Sequence, residues 1–215
     1  FIFYRFSEYG LTIRGTPSRD YTEHKYGLGD LLPEPASLPT NALLVELMGP
    51  GELYRSLQQE GLKISGIAVT LTDLRNIRTR LFDYAHKNSF VTGDILDKRT
   101  WIKLDRRLAG RQADLIVCSP GGGDVSIPKS TRVYAGLLDR TYRLLGPDGR
   151  LVTDVPAEFK PYFDQLEESC REHNILFEKK RIPPYSEVYN GSMMIQKTER
   201  SPKTLMNIFA DISHL

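Results

Sequence analysis

The stretch "NALLVELMGPGELYRSLQQEG" ends an apolar run on Glu46, turns at Gly49, Pro50 and Gly51, and continues in a helical pattern. Glycines beside a helix start allow close backbone approach and leave N–H groups for a ligand. The turn does not complete G-x-G-x-x-G, because Tyr54 stands at the third glycine position, and it has no P-loop lysine. Glu46 and Glu52 put negative charge at its mouth. A ligand with a cation therefore suits this corner better than a pyrophosphate.

Other groups able to do chemistry also follow apolar runs: Thr70 and Asp73 after "ISGIAV", Asp94 and Ile95 in "TGDIL", and Ser119 and Pro120 in "CSPGGG". Asp73 is well placed to N-cap the helix that follows it. Lys98, Arg99, Lys103, Arg106, Arg107 and Arg111 concentrate positive charge on one helix and its flanks, with Arg75, Arg78 and Arg80 on another. Such clusters fit RNA phosphates or another acidic partner, or simply a solvated helix face. His24, His86, His173 and His214 lack ligand spacing, so no metal is expected. Cys118 and Cys170 are isolated and read as core residues, which fits a reducing, cytoplasmic setting.

These residues need a frame that brings strand ends together. From Ala42 onward, short apolar runs alternate with helical patterns: "ALLVELM", "LKISGIAVTL", "SFVTGDIL", "ADLIVCSPGGG" and "RLVTDVP" read as five strands. Between them lie helices in which Leu74, Ile77, Leu81, Tyr84 and Ala85 share one face, and Trp101, Leu104 and Leu108 point inward in the next. "TRVYAGLLDRTYRLLGPDG" reads as a helix closed by Gly146, and "AEFKPYFDQLEESCREHN" as another. "ILFEKKRI" and "GSMMIQKT" have no helix between them, so the last strand is expected to return antiparallel. The expected fold is α/β: a seven-stranded, mostly parallel Rossmann-like sheet with helices on both faces and an antiparallel C-terminal hairpin strand. Residues 1–40 lack the rhythm and are expected to cover the sheet edge; 41–200 form the domain and 201–215 a tail. In such sheets ligands bind at the carboxyl ends of the strands, where strand order reverses.

The 215 residues are 40% hydrophobic, and no apolar run approaches the roughly 20 residues of a membrane span. No membrane insertion is expected. "FIFYRFSEYG" carries no charged segment ahead of an apolar one, so no signal peptide is expected either. A net charge of +2 does not argue for nucleic acid by itself, so any basic footprint is local.

In this order, "LLVELMGPGELYRSL", "FVTGDILD", "ADLIVCSPGGG" and "AGLLDRTYRLLGPDGRLVTDVP" resemble the class I S-adenosylmethionine-dependent methyltransferases across roughly Asn41 to Thr198. The resemblance implies an S-adenosylmethionine cofactor and methyl transfer to an unidentified acceptor: RNA, protein or a small molecule. It implies that Gly49 and Gly51 approach the methionine part, with Glu46 near its ammonium. It implies Asp94 on the adenine amino group, Ile95 against the ring, and Ser119 and Pro120 lining the acceptor side as candidate catalytic residues. Thr70 falls where the ribose-binding acid would stand, with Asp73 three positions on. The short spacing at Glu46, Thr70 in place of an acid and the glycine-filled loop motivate an alternative, a methyltransferase-like binding or scaffold domain without catalysis.

Overall fold

The computed structural model describes residues 4–7, 10–13, 28–73, 75–118, 130–180 and 189–212. Strands β1 (Tyr4–Ser7) and β2 (Gly10–Ile13) form a separate antiparallel hairpin. The main sheet has seven strands: β3 (Leu43–Leu47), β4 (Ser65–Thr70), β5 (Ser89–Thr92), β6 (Ala113–Cys118), β7 (Leu145–Pro156), β8 (Leu176–Lys180) and β9 (Tyr189–Gln196). Their spatial order is β5-β4-β3-β6-β7-β9-β8. The first five strands pair in parallel, and β9 runs antiparallel between β7 and β8. The expected fold class and the returning last strand are both present.

Helices α1 (Glu52–Gln59), α2 (Ile77–Ala85), α3 (Lys98–Leu108), α4 (Thr131–Arg143) and α5 (Phe163–Glu172) connect the strands, and α6 (Met206–Asp211) follows them. Residues of β3 divide by alternation between two cores: Leu43, Val45 and Leu47 join one, Leu44 the other. The first core holds Trp101, Leu104 and Leu108 of α3, residues of α4 and α5, and Leu205, Ile208 and Phe209 near the C-terminal end. Leu28, Leu31 and Leu32 pack in the second core with Leu53, Tyr54 and Leu57 of α1. Burial on both faces explains why the central strands read as continuous apolar runs. Among the described residues no helix is long and apolar enough to cross a membrane.

Three local expectations need correction. Ile77, Leu81 and Tyr84 do share a face of α2, but it points to solvent, at 75%, 63% and 86% exposure, while Asp83 is the buried residue. Leu74 lies outside the described residues. An ion pair from Asp83 to α1 sets this orientation, overriding the apolar stripe. Gly146 does not close α4, whose cap is Leu144; it belongs to β7, beside a register shift opposite Ala113 and Leu115. Ala157–Tyr162 is a 3-10 turn, and α5 begins only at Phe163, because Pro161 has no N–H for a regular helical bond.

Candidate functional site

Strand order reverses between β3 and β6, so their carboxyl ends open the crevice in which ligands of such sheets bind. The Gly49, Pro50 and Gly51 turn follows β3 directly. Parallel pairing brings the segments after β4 and β5 to the same edge. Met48 N–H donates to the Val69 carbonyl at 2.7 Å and Gly93 N–H to the Thr70 carbonyl at 2.9 Å, tying these ends together.

Glu46 lies in β3 and is 1% exposed. Its Oε1 accepts from Gly51 N–H at 3.1 Å and its Oε2 from Leu53 N–H at 2.9 Å. The carboxylate thus satisfies donors at the start of α1, where the helix dipole favours negative charge. Burial pushes its pKa up to about 7, against the lowering effect of these two bonds and of Arg55.

The two glycines have internal reasons to be glycine. A Cβ on Gly49 would lie 1.7 Å from Glu46 Oε1, so the carboxylate occupies the space of the missing side chain. Gly51 has φ +94°, and a Cβ there would come 2.3 Å from the Tyr54 hydroxyl. That hydroxyl is buried without a hydrogen-bond partner among the described residues.

Behind the turn runs a buried ionic chain. Arg55, with 3% of its side chain exposed, binds Asp83 through Nε at 2.9 Å and Nη2 at 3.1 Å. It also donates to Glu52 and to the Pro50 carbonyl, each at 2.7 Å. Arg75 reaches Asp83 at 2.7 Å and lies over the Phe90 ring at 3.7 Å. Burial raises the Asp83 carboxyl, but hydrogen bonds from Arg55 and Arg75 outweigh it and hold the group below the usual range.

Asp73 belongs to the same chain. Its Oδ1 accepts from Arg75 N–H at 3.1 Å and Nε at 2.9 Å; its Oδ2 accepts from Arg75 Nη2 at 2.9 Å. Arg80 stands 3.4 Å from Oδ2. The Arg75 hydrogen bonds hold this carboxyl low. Asp73 is not the N-cap of α2; Asn76 is, accepting from Thr79 N–H at 2.9 Å. Thr70 ends β4 half-buried.

Asp94 is exposed just past β5, and its Oδ1 accepts from Leu96 N–H at 2.8 Å. Ile95 is 9% exposed, and its carbonyl accepts from the Trp101 indole N–H, which anchors the connection on α3. Ser119 and Pro120 lie outside the described residues.

One polar residue at the carboxyl edge of the sheet escaped the sequence reading. Asp154 is buried near the end of β7, next to Thr153, which pairs with Cys118 at the end of β6. It accepts from Ser192 Oγ at 3.1 Å, and its carbonyl accepts from the Tyr134 hydroxyl at 3.0 Å. The usable signal was a carboxylate in the strand stretch "LVTDVP". Cys118 itself is a core residue whose thiol burial pushes up to about 12, far from a reactive thiolate. Among the described residues no group of three His, Cys, Asp or Glu side chains could hold a metal.

No protein-family model and no curated protein matches the sequence. Solved structures share the fold. A Streptococcus mutans protein described as a methyltransferase, in complex with SAH, superposes with a TM-score of 0.52 at 14% identity, covering 78% of this chain and 94% of that one. An rRNA methylase from Streptococcus thermophilus gives 0.50 at 12% identity, covering 77% and 92%. A protein from Clostridium thermocellum described as an rRNA methylase gives 0.50 at 12% identity, covering 76% and 92%.

Proposed function

We propose that the chain binds S-adenosylmethionine and transfers its methyl group to an acceptor that the site does not name. The observation that carries this reading is the glycine turn after β3, placed where this strand order reverses. The donor set fits the cofactor: carboxylates at the turn for a cationic tail, an exposed acceptor at Asp94, and an apolar neighbour at Ile95. Nothing at the turn offers the lysine or third glycine that a pyrophosphate needs.

Bound there, the cofactor supplies a methyl group on a sulfonium, activated for in-line transfer. The chain's own contribution is placement, and positioning a reactant can supply much of a rate enhancement. Gly49 and Gly51 let the turn fold tightly against Glu46 and Tyr54 while its backbone approaches the methionine part, and Glu46 sets negative charge near the ammonium. Asp94 accepts from the adenine amino group while Ile95 packs on the ring. The ribose hydroxyls fall to Thr70 and to Asp73, whose Oδ2 keeps its 2.9 Å bond from Arg75 and offers a hydroxyl the second lone pair that exposed Arg80 faces at 3.4 Å. Ser119 and Pro120 line the acceptor side. Two buried free cysteines support a reducing, cytoplasmic setting.

A second reading is a binding or scaffold domain that keeps the fold without catalysis. It is favoured by one feature: both Glu46 oxygens and both Asp73 oxygens already accept bonds within the protein. Calorimetry with S-adenosylmethionine and its demethylated product tests the proposal. Binding of both supports the cofactor site, and absence of binding for either at millimolar concentration sinks it. Turnover of the bound cofactor in a cell extract then separates enzyme from scaffold.

A further inference from the structure

A cleft of about 570 Å³ runs between α3 and α4, within the span of roughly 300–1,000 Å³ typical of ligand sites. Ile95, Leu96, Trp101, Ile102, Val133 and Leu137 supply its apolar lining, and Lys98, Arg140 and Arg143 its cations. Leu96, Ile102 and Val133 are 53%, 41% and 42% exposed, so a substantial apolar surface stands open beside positive charge. Arg106 on α3, one turn from Ile102, and Arg132 on α4, next in sequence to Val133, are exposed, whereas Arg107 falls on the opposite face of α3. Lys98, Arg106 and Arg132 form no ion pair among the described residues. Two cations have fixed positions: Arg140 lies over the Trp101 ring at 5.2 Å, and Arg143 is held by Asp139 at 2.7 Å.

We propose that this cleft docks single-stranded RNA as the methyl acceptor or the strand that carries it. The identification of an acceptor rests on the methyl-transfer reading; the docking itself does not. Unstacked bases offer flat apolar faces and their backbone a regular negative charge, which matches an open apolar floor between cationic rims. A duplex hides those faces inside its stack. Exposed Asp105, also in the lining, is an acceptor among cations and suits a ribose 2′-hydroxyl, the group that tells RNA from DNA. The cleft begins at Ile95 and Leu96, immediately after Asp94. A strand lying in it therefore leads to the sheet edge where methyl transfer is proposed.

Fluorescence anisotropy tests this with a labelled, unstructured RNA of mixed sequence, the same sequence as DNA, and the RNA duplex. The full chain should bind the single-stranded RNA most tightly, with an affinity that falls as salt rises. Lys98→Glu with Arg106→Glu, both exposed, should weaken binding about tenfold or more. Ile102→Ser should weaken it without changing the charge of the cleft, and Lys87→Glu, beyond α2, should leave it intact. Circular dichroism establishes that each variant is folded. No RNA binding at low salt, DNA or duplex bound as tightly, or equal affinity for the Lys98/Arg106 variant would overturn the inference. RNA binding by a chain that ignores S-adenosylmethionine sinks the methyl-transfer reading alone, whereas cofactor binding without RNA binding sinks the docking site alone.

Discussion

Replacing Glu46 by glutamine preserves the shape of the most buried carboxyl at the turn and removes its charge. In the native protein burial raises this group from 4.5 to about 7. Between those values the folded chain holds a proton that the unfolded chain has released, so raising the pH favours unfolding. The stabilisation is complete below the unfolded value and is lost as pH rises through about 7. At about 1.36 kcal/mol per pH unit, the interval corresponds to about 3 kcal/mol. Urea denaturation of native protein and Glu46→Gln, from about pH 5 to about pH 8, measures the difference in slope. The glutamine oxygen can accept only one of the two N–H bonds comfortably, because its other terminal atom is a donor. The variant should therefore carry a pH-independent loss of about 1–3 kcal/mol and a flatter profile. Parallel pH profiles for the two proteins would refute the upward shift of the Glu46 carboxyl. A cation bound beside Glu46 favours its ionised form, so S-adenosylmethionine affinity should rise through about pH 7 in the native chain and not in the variant.

Three further outcomes are expected. Asp83→Ala leaves buried Arg55 without its bidentate partner and should cost about 3 kcal/mol, the low end for a broken buried pair because Glu52 and the Pro50 carbonyl remain. Thermal melting should register this as a drop of about 6–12 °C, and a loss under about 1 kcal/mol would show that the pair is hydrated. Gly49→Ala must displace the Glu46 carboxylate and should cost about 2 kcal/mol, but much less in a Glu46→Ala background; additive losses in the double-mutant cycle would disprove that clash. Asp94→Ala should weaken S-adenosylmethionine binding by about 1.5–3 kcal/mol, measured by calorimetry, with unchanged affinity refuting the adenine assignment.

Much of the architecture was legible along the chain. Burial of the central strands on two faces forces apolar runs such as "ALLVEL" and "ADLIVC", and helices of α/β length between them leave parallel crossovers as the economical arrangement. The lack of a helical pattern in the sequence between "ILFEKKRI" and "GSMMIQKT" announced the antiparallel pairing of β8 with β9. Trp101, Leu104 and Leu108 were readable as core because their spacing matches the helical repeat.

The side-chain partners were another matter. Periodicity grouped Ile77, Leu81 and Tyr84 correctly, yet it could not say which side of α2 faces the sheet. That was settled by Asp83 meeting Arg55, 28 residues away in the chain and on another helix. Glu46, Gly49 and Gly51 looked like a ligand corner from their types alone, while the space their neighbours fill, with Glu46 against Gly49 and Tyr54 against Gly51, depends on how α1 settles on β3. Asp73 could equally have capped a helix until Arg75 took its carboxylate. Local burial and hydrogen-bonding needs repeat with a short period and are therefore written in neighbouring residues. Ion pairs and steric occupancy link residues brought together by strand order, and only the assembled sheet decides which of them meet.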